Sequence, residues 1–130
     1  MTLAEAMIAT LKSHGVKFLF GVPGGGSSLD LIAAADRAGL HFILCRGETS
    51  AAIAAAVVGE LTGAPGVVLT AIGPGAASAV NGVAYAHLER APLILIADAR
   101  EEGEAIPPHQ VFDLQALFKP IAKACRRVTP

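Results

Sequence analysis

At 130 residues the chain is one domain's worth of polypeptide, enough to bury a single core but short of an ordinary two-domain enzyme. Hydrophobic residues make up 53% and charged residues 16%, against roughly a quarter charged in an ordinary soluble domain, so part of the surface is expected to be covered by another chain or domain. A formal net charge of -1, no Trp and a single Tyr offer no basic stripe or stacking platform, which excludes nucleic acid as a partner. No apolar run approaches the roughly eighteen residues of a membrane span.

The first segment, "TLAEAMIATLKSHG", opens with a capping box of Thr2 and Glu5 and keeps helical apolar spacing until Gly15 stops it. It lacks the basic start of a secretory signal. "KFLFGV" is a short strand, and "GVPGGGSS" is the turn after it, with Ser27 or Ser28 expected to cap a helix through about Arg37. "HFIL" is strand two, "TSAAIAAAVVGELT" a helix ended by Gly63, and "GVVLTAI" strand three. "GPGAASAVNGVAYAHLER" is a turn leading into a helix, and "PLILIADA" is strand four. The strands are continuous apolar runs, as a parallel sheet buried on both faces requires. Four such steps predict a doubly wound α/β fold, a mainly parallel sheet with helices on both faces and any site at the carboxyl ends of the strands. Beyond Arg100 the pattern loosens: an exposed acidic loop over 101–108, a short helix within 111–118 and a last strand within 122–127.

Three strand ends carry unusual residues to the same edge: "GVPGGGS" after strand one, Glu48 after strand two and "TAIGPGAAS" after strand three. Taken singly, each has a bland reading. The glycines are turn residues, Leu29 stands where a dinucleotide fingerprint needs its third glycine, and no phosphate loop of the G-x-x-x-x-G-K-[ST] kind is present. An acid such as Glu48 at a helix start is favoured by the helix dipole. Together, three glycine-lined or acidic loops from successive strands build a concave edge. An acid at the mouth of so apolar a helix, with Arg46 its near charged neighbour in sequence, is costly unless solvated, paired or used. His14, His41 and His87 read as capping, strand-start and helix residues, and His109 as a loop residue. Cys45 and Cys125 lack metal-ligand spacing, which suits free thiols in a reducing, cytosolic compartment. Asp98 in "IADAR" ends a strand without the flanks of a metal site.

The stretches "MTLAEAMIATLKSHGVKFLFGVPGGG", "ILCRGETSAAIAAAVVGELTGAPGVVLTAIGPGAASAVNGVAYAHLERAPLILIADAR" and "HQVFDLQALFKPIAKACRRV" cover nearly the whole chain in order. They resemble the amino-terminal, pyrimidine-binding domain of thiamine diphosphate enzymes, within the acetolactate synthase, benzoylformate decarboxylase and related 2-oxoacid group. The resemblance implies a role for Glu48: in that family this acid hydrogen-bonds the pyrimidine ring nitrogen of thiamine diphosphate and drives formation of the cofactor ylide. It implies that Val22, Pro23, Gly24 and Gly25 form the turn approaching the pyrimidine. It further implies that Thr70, Pro74 and Ser78 line the loop beside the same ring, and that Gln110 stands on the substrate side. Gly25 replaces the serine of some decarboxylases, and Leu69 or Thr70 stands where they carry a histidine. An acetolactate-synthase-like or lyase-like branch therefore fits better than a benzoylformate-type acid–base set.

The same resemblance makes residues 1–130 one pyrimidine-binding domain, carboxyl-terminally incomplete. The family's second domain, with a Gly-Asp-Gly segment that holds the diphosphate and Mg2+, is not in this sequence, and no metal ligand is expected in it. The expected partners are that domain or subunit, in cis or in trans, a small 2-oxoacid, and a second copy in a homodimer or larger oligomer. FAD is left open for the complete enzyme. The expected activity is that of a carboligase, lyase or decarboxylase, absent from this chain alone. The alternative is a non-catalytic α/β binding or assembly module derived from the same family.

Overall fold

Helix α1 (Leu3–Ser13) begins as its sequence requires: the Thr2 hydroxyl accepts from the Glu5 amide at 3.2 Å and the Glu5 carboxylate accepts from the Thr2 amide at 2.8 Å. The computed structural model describes residues 1–100 and 109–128, so the acidic loop expected over 101–108 lies outside the described residues. The Thr2 N–H above all holds the Glu5 carboxyl below its ordinary value of 4.5; desolvation opposes it, and the amino-terminal charge and Arg37 add to the lowering. A carboxyl made more acidic by folding stabilises fully above its ordinary value and loses that contribution as pH falls through the lowered one. The start of α1 should therefore fray on acidification, read as a lower protection of the Glu5 amide relative to its intrinsic exchange rate at each pH. In Glu5→Gln, which has no titrating carboxyl, that acid-dependent step should disappear, whereas Thr2→Ala keeps the main-chain N–H that Glu5 accepts from and should retain most of it.

The rest of the chain alternates strand and helix: β1 (Phe18–Val22), α2 (Ser27–Arg37), β2 (His41–Leu44), α3 (Glu48–Thr62) and β3 (Gly66–Thr70). Then follow α4 (Pro74–Ser78), α5 (Val80–Glu89), β4 (Leu93–Ala97), α6 (Leu114–Phe118) and a 3-10 turn over Lys119–Ile121. All pairings are parallel in the order β2-β1-β3-β4, with Phe20 opposite Ile43 and Val68, and Val68 opposite Leu95. Alternate side chains of the strands enter two cores. Leu19, Val67 and Leu69 pack with Ile8, Leu11, Leu31 and Ala35 of α1 and α2. On the other face Val68 packs with Ala51, Ala52 and Ala55 of α3, Ala76 of α4, Val83 of α5 and Phe118 of α6. Full burial of each of the larger aliphatic side chains stabilises by about 1.5–3 kcal/mol. The fold is thus the expected α/β sheet with helices on both faces.

Small residues bring α3 onto the sheet. Ala51, Ala52, Ala55 and Ala56 are completely buried, and a Cβ on Gly66 of β3 would lie 1.8 Å from the Ala55 carbonyl oxygen. Gly82 of α5 also approaches closely, its would-be Cβ 2.5 Å from that of Ala52. The near absence of charge along α3 is therefore a packing requirement, and Gly63, at φ +74, ends the helix in the left-handed region.

Four expectations need correction. The helix after strand one is capped by Gly26, without a side-chain cap of its own, and Ser27 and Ser28 are its first two residues. Only β3 is buried throughout: β2 forms a sheet edge, where Leu44 is 69% exposed. The single helix expected before strand four is two, α4 and α5, meeting at Ala79. No strand forms within 122–127: after the turn over Lys119–Ile121 the segment packs on the second core through Ala122 and Cys125 without joining the ladder. Among the described residues no helix is long and apolar enough to cross a membrane.

Candidate functional site

The strand order locates the site before any side chain is considered. From β1 the chain steps outward to β2, then returns past β1 to β3. The loops leaving β1 and β3 therefore diverge, and the crevice between the carboxyl ends of those strands is where an open α/β sheet binds its ligand. Val22 and Thr70, paired across these ends, lie at its floor.

The loops meet there through small residues. A Cβ on Gly24 would stand 2.8 Å from the Cβ of Ala71, and one on Gly75 would stand 3.0 Å from the same atom and 3.5 Å from Glu48 Oε1. Glu48 is the first residue of α3, half-buried, behind a Gly47 cap that contributes no side chain. Among the described residues its carboxylate has no hydrogen bond or ion pair: Arg46 is exposed, and the ion pair that does form joins Arg37 to Glu5. The mouth of α3 is tied to α4 by the Thr49 hydroxyl, which donates to the Ser78 carbonyl at 2.6 Å. Thr70 shares its sheet face with Val68, the face that α3 covers. Its hydroxyl is fully buried and, among the described residues, without a hydrogen-bond partner. A buried hydroxyl left unpaired costs about 1–3 kcal/mol, which a ligand's polar atom would relieve.

The other expected residues fall into two groups. Val22 and Pro23 are half-buried at the end of β1, and Gly25 is exposed with open space around it, so a side chain would fit there. Gln110, at φ +64, sets its backbone against the glycine loop: a Cβ on Gly73 would be 1.8 Å from the Gln110 carbonyl oxygen. Pro74 opens α4 on the surface, and the Ser78 hydroxyl is spent on the Pro74 carbonyl at 2.9 Å, within its own short helix. Ala71, on which the glycine loop after β1 packs, escaped the sequence reading; its signal was its place directly after Thr70, at the strand end. A cleft of about 1030 Å³ beside β4 and α5 touches Gly73, Asp98 and Gln110 but does not reach Glu48. Among the described residues no group of three His, Cys, Asp or Glu could hold a metal ion.

Residues 1–117 match the family described as thiamine pyrophosphate enzyme, N-terminal TPP binding domain. The chain belongs to this family. It is 38% identical over 121 residues to acetolactate synthase of Bacillus subtilis (strain 168), covering 92% of this chain and 21% of that protein. It is 36% identical over 128 residues to 2-hydroxyacyl-CoA lyase 2 of Bos taurus, covering 95% of this chain and 20% of that protein. To 2-hydroxyacyl-CoA lyase 1 of Mus musculus the identity is 37% over 127 residues, 97% of this chain and 20% of that protein. The chain thus spans about a fifth of the length of the curated relatives it matches.

Proposed function

We propose that the chain is the pyrimidine-binding half of a thiamine diphosphate-dependent 2-oxoacid carboligase, lyase or decarboxylase of the acetolactate synthase kind. The observation that carries this reading is the Glu48 carboxylate, half-buried at the mouth of α3 and unpaired among the described residues. Thiamine diphosphate, when bound, supplies an acidic C2–H whose loss makes that carbon a nucleophile toward 2-oxoacids. Glu48 is the catalytic residue: it exchanges a proton with the pyrimidine ring nitrogen, and a carboxylate does this best where solvent protons are kept out. The apolar walls formed by Ala51, Ala52 and Val68 supply that setting.

In this reading Val22, Pro23, Gly24 and Gly25 bound the ring from the β1 side, and Thr70 offers its unspent hydroxyl. Pro74 and Ser78 border the ring through the α4 backbone, and Gln110 stands toward the substrate. The 130 residues form one domain, and the diphosphate and Mg2+ are held by a second domain in cis or in trans. A homodimer or larger oligomer covers the low-charge surface. A cytosolic setting suits the two free thiols, Cys45 and Cys125.

Calorimetry tests the assignment. Thiamine diphosphate with Mg2+ should bind the complete two-domain assembly at micromolar affinity or tighter, and the 130-residue chain alone far more weakly, because half of the contacts are missing. Equal, tight binding by the chain alone would overturn the split site. A complete assembly that does not bind the cofactor would overturn the function.

A further inference from the structure

Asp98 follows β4 and is only 8% exposed, yet no basic side chain pairs with it among the described residues. A buried carboxylate without a counter-charge survives only if hydrogen bonds and dipoles replace its lost water. Here they do. Oδ1 accepts from the Ser27 hydroxyl at 2.5 Å and from the Ser28 amide at 2.7 Å, and Oδ2 accepts from the Ser28 hydroxyl at 3.0 Å. These groups form the first turn of α2, whose cap residue Gly26 has no side chain to offer. Asp98 therefore caps α2 from 70 residues away, with its charge at the positive end of the helix dipole.

The cap reaches the candidate crevice. The Ser28 hydroxyl that donates to Asp98 also accepts from the Gly24 amide, at 3.1 Å. A Cβ on Gly24 or on Gly26 would lie 3.3 Å from Asp98 Oδ2, so the glycine loop is wrapped closely around the carboxylate. Gly24 in turn packs on Ala71, and Ala71 on Gly75 beneath Glu48. We infer that Asp98 is the positioning residue of the site: it fixes residues 22–26 in the conformation that the crevice requires. The same carboxylate fills the amino end of α2, which is then closed to the phosphates of a ligand.

The positioning of bound cofactor rests on the function proposed above; the latch itself does not. Both are tested in the complete protein in which this sequence stands, by amide exchange without cofactor and by calorimetric titration with thiamine diphosphate. Asp98→Ala removes every acceptor. It should speed exchange at Gly24 and Ser28 about a hundredfold while leaving Val67, Val68 and Leu69 of β3 unchanged, and weaken cofactor binding about tenfold. Asp98→Asn keeps an acceptor for Ser27 and for the Ser28 amide, and its NH2 can donate to the Ser28 hydroxyl while that hydroxyl turns to the Gly24 carbonyl, 3.4 Å away. It should restore most of both losses. Should Asp98→Ala fail to fold, Ser28→Ala removes only the bridge to Gly24 and should speed exchange there alone.

Unchanged exchange in Asp98→Ala, or in Ser28→Ala where that variant replaces it, would refute the latch. Faster exchange with unchanged cofactor affinity would refute the positioning role. A wild type that binds no cofactor would refute the proposed function and the positioning role with it, while the exchange data still decide the latch.

Discussion

In the complete enzyme, Glu48→Gln is expected to lower kcat by about a hundredfold to ten-thousandfold, the range that a positioned proton-transfer group contributes. Glutamine keeps the size of the side chain and one hydrogen bond, so affinity for thiamine diphosphate should change only a few-fold. Stability should fall by about 0.5 kcal/mol at most, the loss of one acid from a helix amino end. Glu48 has no partner within the described residues to be left unpaired. The two roles open to this acid thus separate cleanly. A residue kept only for the helix dipole would cost stability and leave turnover intact. Glu60→Gln, on the exposed far end of the same helix, is the control and should leave both unchanged.

The largest structural effect is expected from Gly66→Ala. The new methyl would stand 1.8 Å from the carbonyl oxygen and 2.4 Å from the carbonyl carbon of Ala55, both backbone atoms of α3. No side-chain rotation relieves such a clash, so α3 must lift from β3, opening the core at Ala51, Ala52 and Ala55. The loss should be about 3 kcal/mol, the upper end of the range for overpacking. Gly63→Ala separates packing from backbone freedom: it has φ +74 and open space around it, and should cost only about 1–2 kcal/mol for the left-handed conformation. Urea unfolding of the two variants checks the order. Equal losses would mean that the close approach of α3 to the sheet is not what holds the domain together.

How far the sequence could be read follows from how far apart the interacting residues lie. The capping box of Thr2 and Glu5, the stop at Gly63 and the buried run of β3 are set by neighbours within a few residues, and all were legible. The placing of an acid after strand two was legible for the same reason. The exposure of β2 was not: HFIL is as apolar as an inner strand, and only the order β2-β1-β3-β4 puts it at an edge. Ser27 and Ser28 carried the right signal for a helix start, but the atom they bind belongs to Asp98, some 70 residues on and two strands away. Ala71 gave no chemical signal at all; its part is to be small where Gly24 and Gly75 converge. The sequence could not show that the Ser78 hydroxyl, at the end of the short helix α4, is spent on the Pro74 carbonyl one turn back.

The most direct test is hydrogen–deuterium exchange at C2 of thiamine diphosphate bound to the complete enzyme, compared between the wild type and Glu48→Gln under saturating cofactor. If Glu48 moves the proton on the pyrimidine ring, exchange in the variant should be slower by about a hundredfold or more. Equal rates in the two proteins would contradict the assignment of Glu48.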